Sequence, residues 1–198
     1  MLKTSHAVRH DTSLPVEKAV VGPDDAVQVV IRPLPARARY ALRLNEAEVT
    51  SAGTVAGFSL DIPINTRSGS AGRSSIRLGP NEWLLTGPYA DAAMIAGEVD
   101  TALGTRFYTL VDVSHRNVGF TVSGRRAAEV LNSGCPLDLA DAAFPAGMAT
   151  RTLMGKAEIV LMRLDDMPTY QVECWRSFSA YVRDYLIEAA REFEPSIA

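Results

Sequence analysis

The chain has 198 residues, 47% of them apolar, with a formal charge of −3 and a pI near 5.6. That length favours one domain with one well-buried core. The weakly acidic balance lacks the basic footprint needed to hold a phosphate backbone, which argues against nucleic acid as a partner. No window reaches the roughly 18 apolar residues of a membrane span, and Met1 to Pro15 contains no apolar run of signal-peptide length. A cytoplasmic protein without a membrane partner is expected. Cys135 and Cys174 are isolated in sequence, so they form neither a disulfide framework nor a zinc-ligand spacing and are expected to be buried free thiols.

Residues 1–25 are polar and aperiodic up to Gly22-Pro23-Asp24-Asp25. They are expected to form a weakly ordered N-terminal arm, whose Leu2, Val8, Leu14 and Val16 are too few for a core but enough to lie along a neighbour's groove. Residues 26–198 are expected to form a single α+β domain. Val27, Val29 and Ile31 alternate with polar or small neighbours as a strand does, ended by Pro33 and Pro35, and Tyr40, Leu42 and Leu44 define a second. From Ala47 to Gly72 small and turn-forming residues dominate, and Thr66 to Gly72 resembles a loop. Gly69 and Gly72 do not have the spacing of a phosphate cradle and are expected to be loop glycines.

Two apolar runs then flank Gly79-Pro80-Asn81-Glu82 as a hairpin. Asp91 is placed to cap a following helix, in which Met94, Ile95, Val99, Ala102 and Leu103 share one stripe and Gly104 is the stop. Phe107 to Val113 and Val118 to Val122 read as two strands. The break Ser114 to Asn117 is long enough for a hairpin turn, so the two are expected to pair. A short helix carrying Ala127, Val130 and Leu131 follows Ser123-Gly124 and stops near Gly134 and Pro136. After Pro145 come three strand candidates, Thr150 to Leu153, Ala157 to Leu164 and Thr169 to Trp175. A final helix begins at Ser177, with a stripe of Phe178, Tyr181, Val182, Tyr185, Ala189, Ala190 and Phe193. Hairpins alternating with helices predict a mostly antiparallel sheet with helices on one face; a doubly wound nucleotide fold would need its strands separated one by one by helices.

Candidate chemistry is thin. Asp112, Ser114 and His115 supply triad residue types within four positions, but at a strand end and turn, where Asp and Ser commonly satisfy backbone amides. His6 and His10 would share a helix face, yet no apolar stripe supports a helix there. Asp138 with Asp141, and Asp165-Asp166, fit a helix start and a proline turn. No residue is expected to be catalytic or to bind a cofactor or metal. Trp83 and Trp175, near predicted strand ends, are the interface candidates; core packing is the competing role for each.

The run Leu110-Val111-Asp112-Val113-Ser114-His115-Arg116, then Val122-Ser123-Gly124, Ala127-Ala128 and Val130-Leu131-Asn132 resembles the D-x-S…V-x-G-x-x-A…L segment of the folate-binding aminomethyltransferases of the glycine-cleavage T-protein type. With Leu78 to Leu85 before it and Arg176-Ser177-Phe178-Ser179-Ala180-Tyr181 after it, residues 25 to 193 resemble the gamma subunits of heterotetrameric sarcosine oxidases. The resemblance implies the aminomethyltransferase folate-binding fold and an accessory, non-catalytic subunit. Its complex would oxidise sarcosine to glycine, form hydrogen peroxide and pass a one-carbon unit to tetrahydrofolate. It also implies alpha, beta and delta partner subunits, with the flavins FAD and FMN and NAD in the two large ones, zinc in the smallest and the folate site in alpha. A full aminomethyltransferase is about twice this length, and the Lys-Gly-Cys-type motif of folate proteins in iron–sulfur cluster maintenance has as its nearest counterpart Met154-Gly155-Lys156, without cysteine. A free-standing folate-dependent aminomethyltransferase-like protein and the small subunit of N-methylglutamate dehydrogenase are the alternatives.

Overall fold

The computed structural model describes residues 17–22, 26–69 and 72–195. In chain order these form β1 (Lys18–Val21), β2 (Val27–Pro33), β3 (Arg37–Leu44) and α1 (Glu46–Ala52). A two-stranded ribbon follows, β4 (Thr54–Val55) with β5 (Phe58–Ser59), then β6 (Thr66–Gly69), β7 (Ser74–Gly79), β8 (Glu82–Pro88) and α2 (Ala92–Leu103). The second half contributes β9 (Tyr108–Asp112), β10 (Asn117–Ser123), α3 (Ala127–Asn132), β11 (Ala149–Met154), β12 (Ala157–Arg163), β13 (Thr169–Trp175) and α4 (Ser179–Ala190).

The strands divide into two antiparallel sheets, one ordered β1-β2-β10-β13-β12-β11 and the other β6-β7-β8-β3-β9. Helices cover one face of each. Because side chains alternate across a strand, Val29, Ile31, Phe120, Val122, Ile159, Leu161, Tyr170 and Val172 turn one way and form a core with Val130 and Leu131 of α3 and Val182 and Leu186 of α4. Ala38, Tyr40, Leu42, Leu44, Trp83 and Leu85 do the same in the other sheet against Ile95, Val99 and Leu103 of α2. The remaining faces meet each other through Ile76, Leu84 and Val113 on one side and Ala149, Val160 and Met162 on the other. The α+β architecture and antiparallel pairing follow the sequence reading, but as two sheets rather than one.

Four expectations need correction. The Phe107–Val113 and Val118–Val122 strands do not pair. β9 pairs with β3 in the five-stranded sheet, whereas β10 lies between β2 and β13 in the other. A four-residue break allows a hairpin but equally allows a corner from one sheet to the next. The stretch Ala47–Gly72 is not loose: it holds α1, the small ribbon and β6, which pairs with β7. Asn45 Oδ1 accepts from Ala47 N at 3.0 Å, and the Asn45-x-x-Glu48 spacing was the available helix-start signal. The supposed arm is shorter than residue 25, because Lys18–Val21 pairs with β2 and buries Val20; residues 1–16 lie outside the described residues. Asp91 sits at the start of α2 but makes no side-chain capping bond.

The stripe on α4 is also rotated from the one read in the sequence. Val182, Leu186 and Ala190 are buried, whereas Phe178 and Tyr181 are exposed. Tyr181 Oη instead accepts from Lys156 N at 3.1 Å. Leu186→Ala should therefore cost about 2 to 5 kcal/mol, by loss of buried volume, and Tyr181→Ala distinctly less. Thermal denaturation of the two variants checks this order, and the shared inter-sheet core leads us to expect a single transition in the wild type.

Candidate functional site

The two sheets are joined at their facing surfaces by a buried ion pair. Arg39 on β3 and Glu173 on β13 have side chains 2% and 0% exposed. Arg39 Nε donates to Glu173 Oε2 at 2.7 Å and Nη2 to Oε1 at 3.0 Å, a bidentate fork. Gln171 Nε2 donates to Glu173 Oε1 at 2.8 Å, and Arg39 Nη1 to the Arg37 carbonyl at 3.2 Å. Glu173 needs room on the neighbouring strand, and Gly119 provides it. A Cβ at Gly119 would come within 2.9 Å of Glu173 Oε1 and 2.7 Å of Leu34 Cδ1.

The corner between β9 and β10 packs on the same pair. Ser114 Oγ accepts from Arg39 N at 2.9 Å, and Asp112 Oδ1 accepts from Ser114 N at 2.8 Å. Val113 N donates to the Arg39 carbonyl at 2.8 Å, and the His115 carbonyl accepts from Arg176 Nε at 2.8 Å. Asp112 and Ser114 thus set the path of the corner, as the turn reading required. Three of the four aspartates read at the other end serve a second buried arginine. Asp141 Oδ1 accepts from Arg163 Nη1 at 2.7 Å, the Asp165 and Asp166 carbonyls accept from its Nε and Nη2, and Asp138 Oδ1 accepts from Ala140 N.

The two tryptophans part company. Trp83 is fully buried in the core beneath α2, its Nε1 donating to the Leu60 carbonyl at 3.0 Å and Arg77 lying 5.2 Å from its ring. A side chain with no exposed surface cannot anchor a partner, so the interface reading of Trp83 is withdrawn; the apolar Trp83-Leu84-Leu85 run was the signal for a core strand. Trp175 ends β13 and is 43% exposed. Phe178 lies beside it at 6.4 Å between ring centroids, and the Arg116 guanidinium is 5.8 Å from its ring. Arg116, Trp175 and Ala41 line one shallow cleft at the open end between the sheets.

Gly69 ends β6 at φ 110°, and the Gly72 carbonyl accepts from Arg37 Nη2. Among the described residues no group of three or more His, Cys, Asp or Glu side chains is placed to hold a metal; His6 and His10 lie outside them. Both cysteines are buried and free. Burial, reinforced by the neighbouring Glu173 carboxylate, pushes the Cys174 thiol up to about 12, Arg39 opposing weakly.

The ion pair and the thiol each carry an expected outcome. Glu173→Gln leaves Arg39 buried without its counter-charge and should cost about 3 to 5 kcal/mol, whereas the joint replacement Arg39→Met with Glu173→Leu should be far milder; denaturant titration of the three proteins separates the cases. Because Cys174 holds its proton more tightly folded than unfolded, its contribution to stability is complete below pH 9 and is lost as pH rises toward 12. Cys174→Ala should flatten that alkaline decline, read from melting temperatures between pH 8 and 11.

Comparison with known proteins completes the picture. The profile of the sarcosine oxidase, gamma subunit family matches residues 43–192. A sarcosine oxidase subunit gamma from Corynebacterium sp. strain P-1 is 30% identical over 169 residues, covering 85% of this chain and 77% of the relative. One from Arthrobacter sp. is 26% identical over 198 residues, 98% of this chain and 96% of that one. In fold, a chain of heterotetrameric sarcosine oxidase from Corynebacterium sp. U-96 superposes with a TM-score of 0.77 at 24% identity, over 91% of both chains. Aminomethyltransferase T of the glycine cleavage system from Bartonella henselae superposes with a TM-score of 0.63 at 12% identity, over 81% of this chain but 46% of that one. The chain belongs to the sarcosine oxidase, gamma subunit family.

Proposed function

We propose that the chain is the accessory gamma subunit of a heterotetrameric sarcosine oxidase and performs no chemical step itself. The family match carries this reading. The engagement of the polar groups supports the second half. Arg39 and Glu173 satisfy each other in the interior, and Asp112 and Ser114 are bonded to backbone at the corner. Each of these groups is satisfied within the fold, without a substrate to complete it.

In this reading the partners are the alpha, beta and delta subunits, carrying FAD, FMN, NAD and zinc, with tetrahydrofolate at the alpha subunit. Sarcosine is converted there to glycine with formation of hydrogen peroxide and transfer of a one-carbon unit. The complex is cytoplasmic; no helix among the described residues is long and apolar enough to cross a membrane. Trp175 is retained as a contact to a partner. A free-standing aminomethyltransferase is a weaker reading, because the family match is to the gamma subunits of sarcosine oxidase.

Purified alone, the chain should be colourless and should not consume oxygen with sarcosine. Co-expressed with the other subunits of such an oxidase, it should co-purify in a yellow complex that does. A yellow, active isolated chain, or saturable tetrahydrofolate binding to it, would sink this reading.

A further inference from the structure

The edge of the five-stranded sheet has unused bonding capacity. β9 is its last strand, and among the described residues nothing pairs with its outer side. Val113 N donates to the Arg39 carbonyl, so by the alternation of an antiparallel ladder Val111 and Thr109 also bond inward to β3, and the N–H and C=O groups of Tyr108, Leu110 and Asp112 point outward. Soluble proteins blunt such edges with lysine, proline or a bulge. β9, Tyr-Thr-Leu-Val-Asp, has no lysine or proline, its one charge is Asp112 at the end of the strand, held by Ser114 N, and it keeps an unbroken register with β3.

The side chains around this edge favour a ligand of particular chemistry. Val111 is 53% exposed, and Phe107, just before the strand, 93%. Val111 stands in register with Ala41, which lines the cleft that also holds Trp175 and Arg116. The lining of that cleft mixes apolar Leu78, Leu84 and Val160 with Glu82 and Glu158, both paired with Arg151, and Trp175 packs on Phe178. Arg116 and Arg176 flank that pair and form no ion pair among the described residues: Arg116 Nε donates to Asn117 Oδ1, and Arg176 Nε to a carbonyl. Two positive charges with no ion-pair partner among the described residues complement carboxylates, not another cation.

We propose that β9 receives an extended segment of a partner subunit of the oxidase as an added strand. That segment pairs with the outward groups of Tyr108, Leu110 and Asp112, lays apolar side chains beside Val111 and Trp175, and places an acidic residue against Arg116 and Arg176. The proposal rests on the subunit reading above.

The test uses the full chain co-expressed with its partner subunits. Leu110→Pro removes an outward N–H while leaving the inward ladder to β3; Val111→Lys puts a guard charge on an exposed position; Arg116→Glu reverses a charge beside Trp175. Each should weaken assembly by roughly tenfold or more, read as loss of the chain from the purified complex. Val111→Lys and Arg116→Glu should leave the isolated chain's melting temperature unchanged, so the proposal does not hinge on how the proline variant folds. If both surface variants assemble like wild type, the edge proposal is overturned and the subunit reading stands. If the wild type does not assemble, both fall. An isolated chain that sediments as a dimer, and that Val111→Lys converts to a monomer, would make the occupant a second copy and overturn the proposal.

Discussion

Placing a full positive and a full negative charge between two sheets is expensive unless each saturates the other, and the Arg39–Glu173 fork meets that condition with both side chains out of water. The surroundings are arranged to keep it so. Gly119 leaves the space that Glu173 occupies, Gln171 takes up a further lone pair of the carboxylate, and Ser114 receives the backbone N–H of Arg39 itself. Apolar contacts between Ile76, Leu84, Val160 and Met162 supply the area of the junction, but such contacts slide at little energetic penalty. A bidentate fork does not slide, because its two bonds have one geometry. The pair therefore sets the register of one sheet on the other, while apolar burial supplies the attraction.

The same cluster explains why Asp112 and Ser114 are found together. Residue types that suggest a hydrolytic triad here turn the chain out of one sheet and into the next, with Asp112 closing on Ser114 N and Ser114 closing on β3. Similarly, Arg163 is buried and so needs its charge and its donors satisfied, which Asp141 does with its carboxylate and Phe144, Asp165 and Asp166 with backbone carbonyls.

Local pattern was enough for β2, β3, the β7–β8 hairpin, α2, α3 and the three last strands, since each is defined by alternation or by a helical stripe within a few residues. Pairing across the chain was not legible in that way. Nothing in Ser114–Asn117 distinguishes a hairpin from a corner, and the difference is settled by partners on β3 and β13. The ion pair joins positions on strands far apart in sequence. Its only local trace is a charged residue flanked by apolar ones inside a strand, Arg39 between Ala38 and Tyr40 and Glu173 between Val172 and Cys174. On α4 the aromatic residues drew the stripe toward Phe178 and Tyr181, although the sheet is met by the aliphatic row through Leu186. Aromatics at an interface and aromatics in a core share a periodicity, and only exposure separates Trp83 from Trp175.

The order of strands also governs how the chain can become folded. No strand of the six-stranded sheet lies between β3 and β9, so the five-stranded sheet is assembled from one continuous stretch. The six-stranded sheet instead needs Ile31 of β2 to find Val122 of β10 across that whole stretch. Closing so long a loop is entropically unfavourable when the intervening residues are a coil, and far less so once they have collapsed into a sheet that brings their ends together. As the polypeptide leaves the ribosome, the five-stranded sheet can therefore mature first and act as a clasp, leaving β1 and β2 waiting for β10 to arrive.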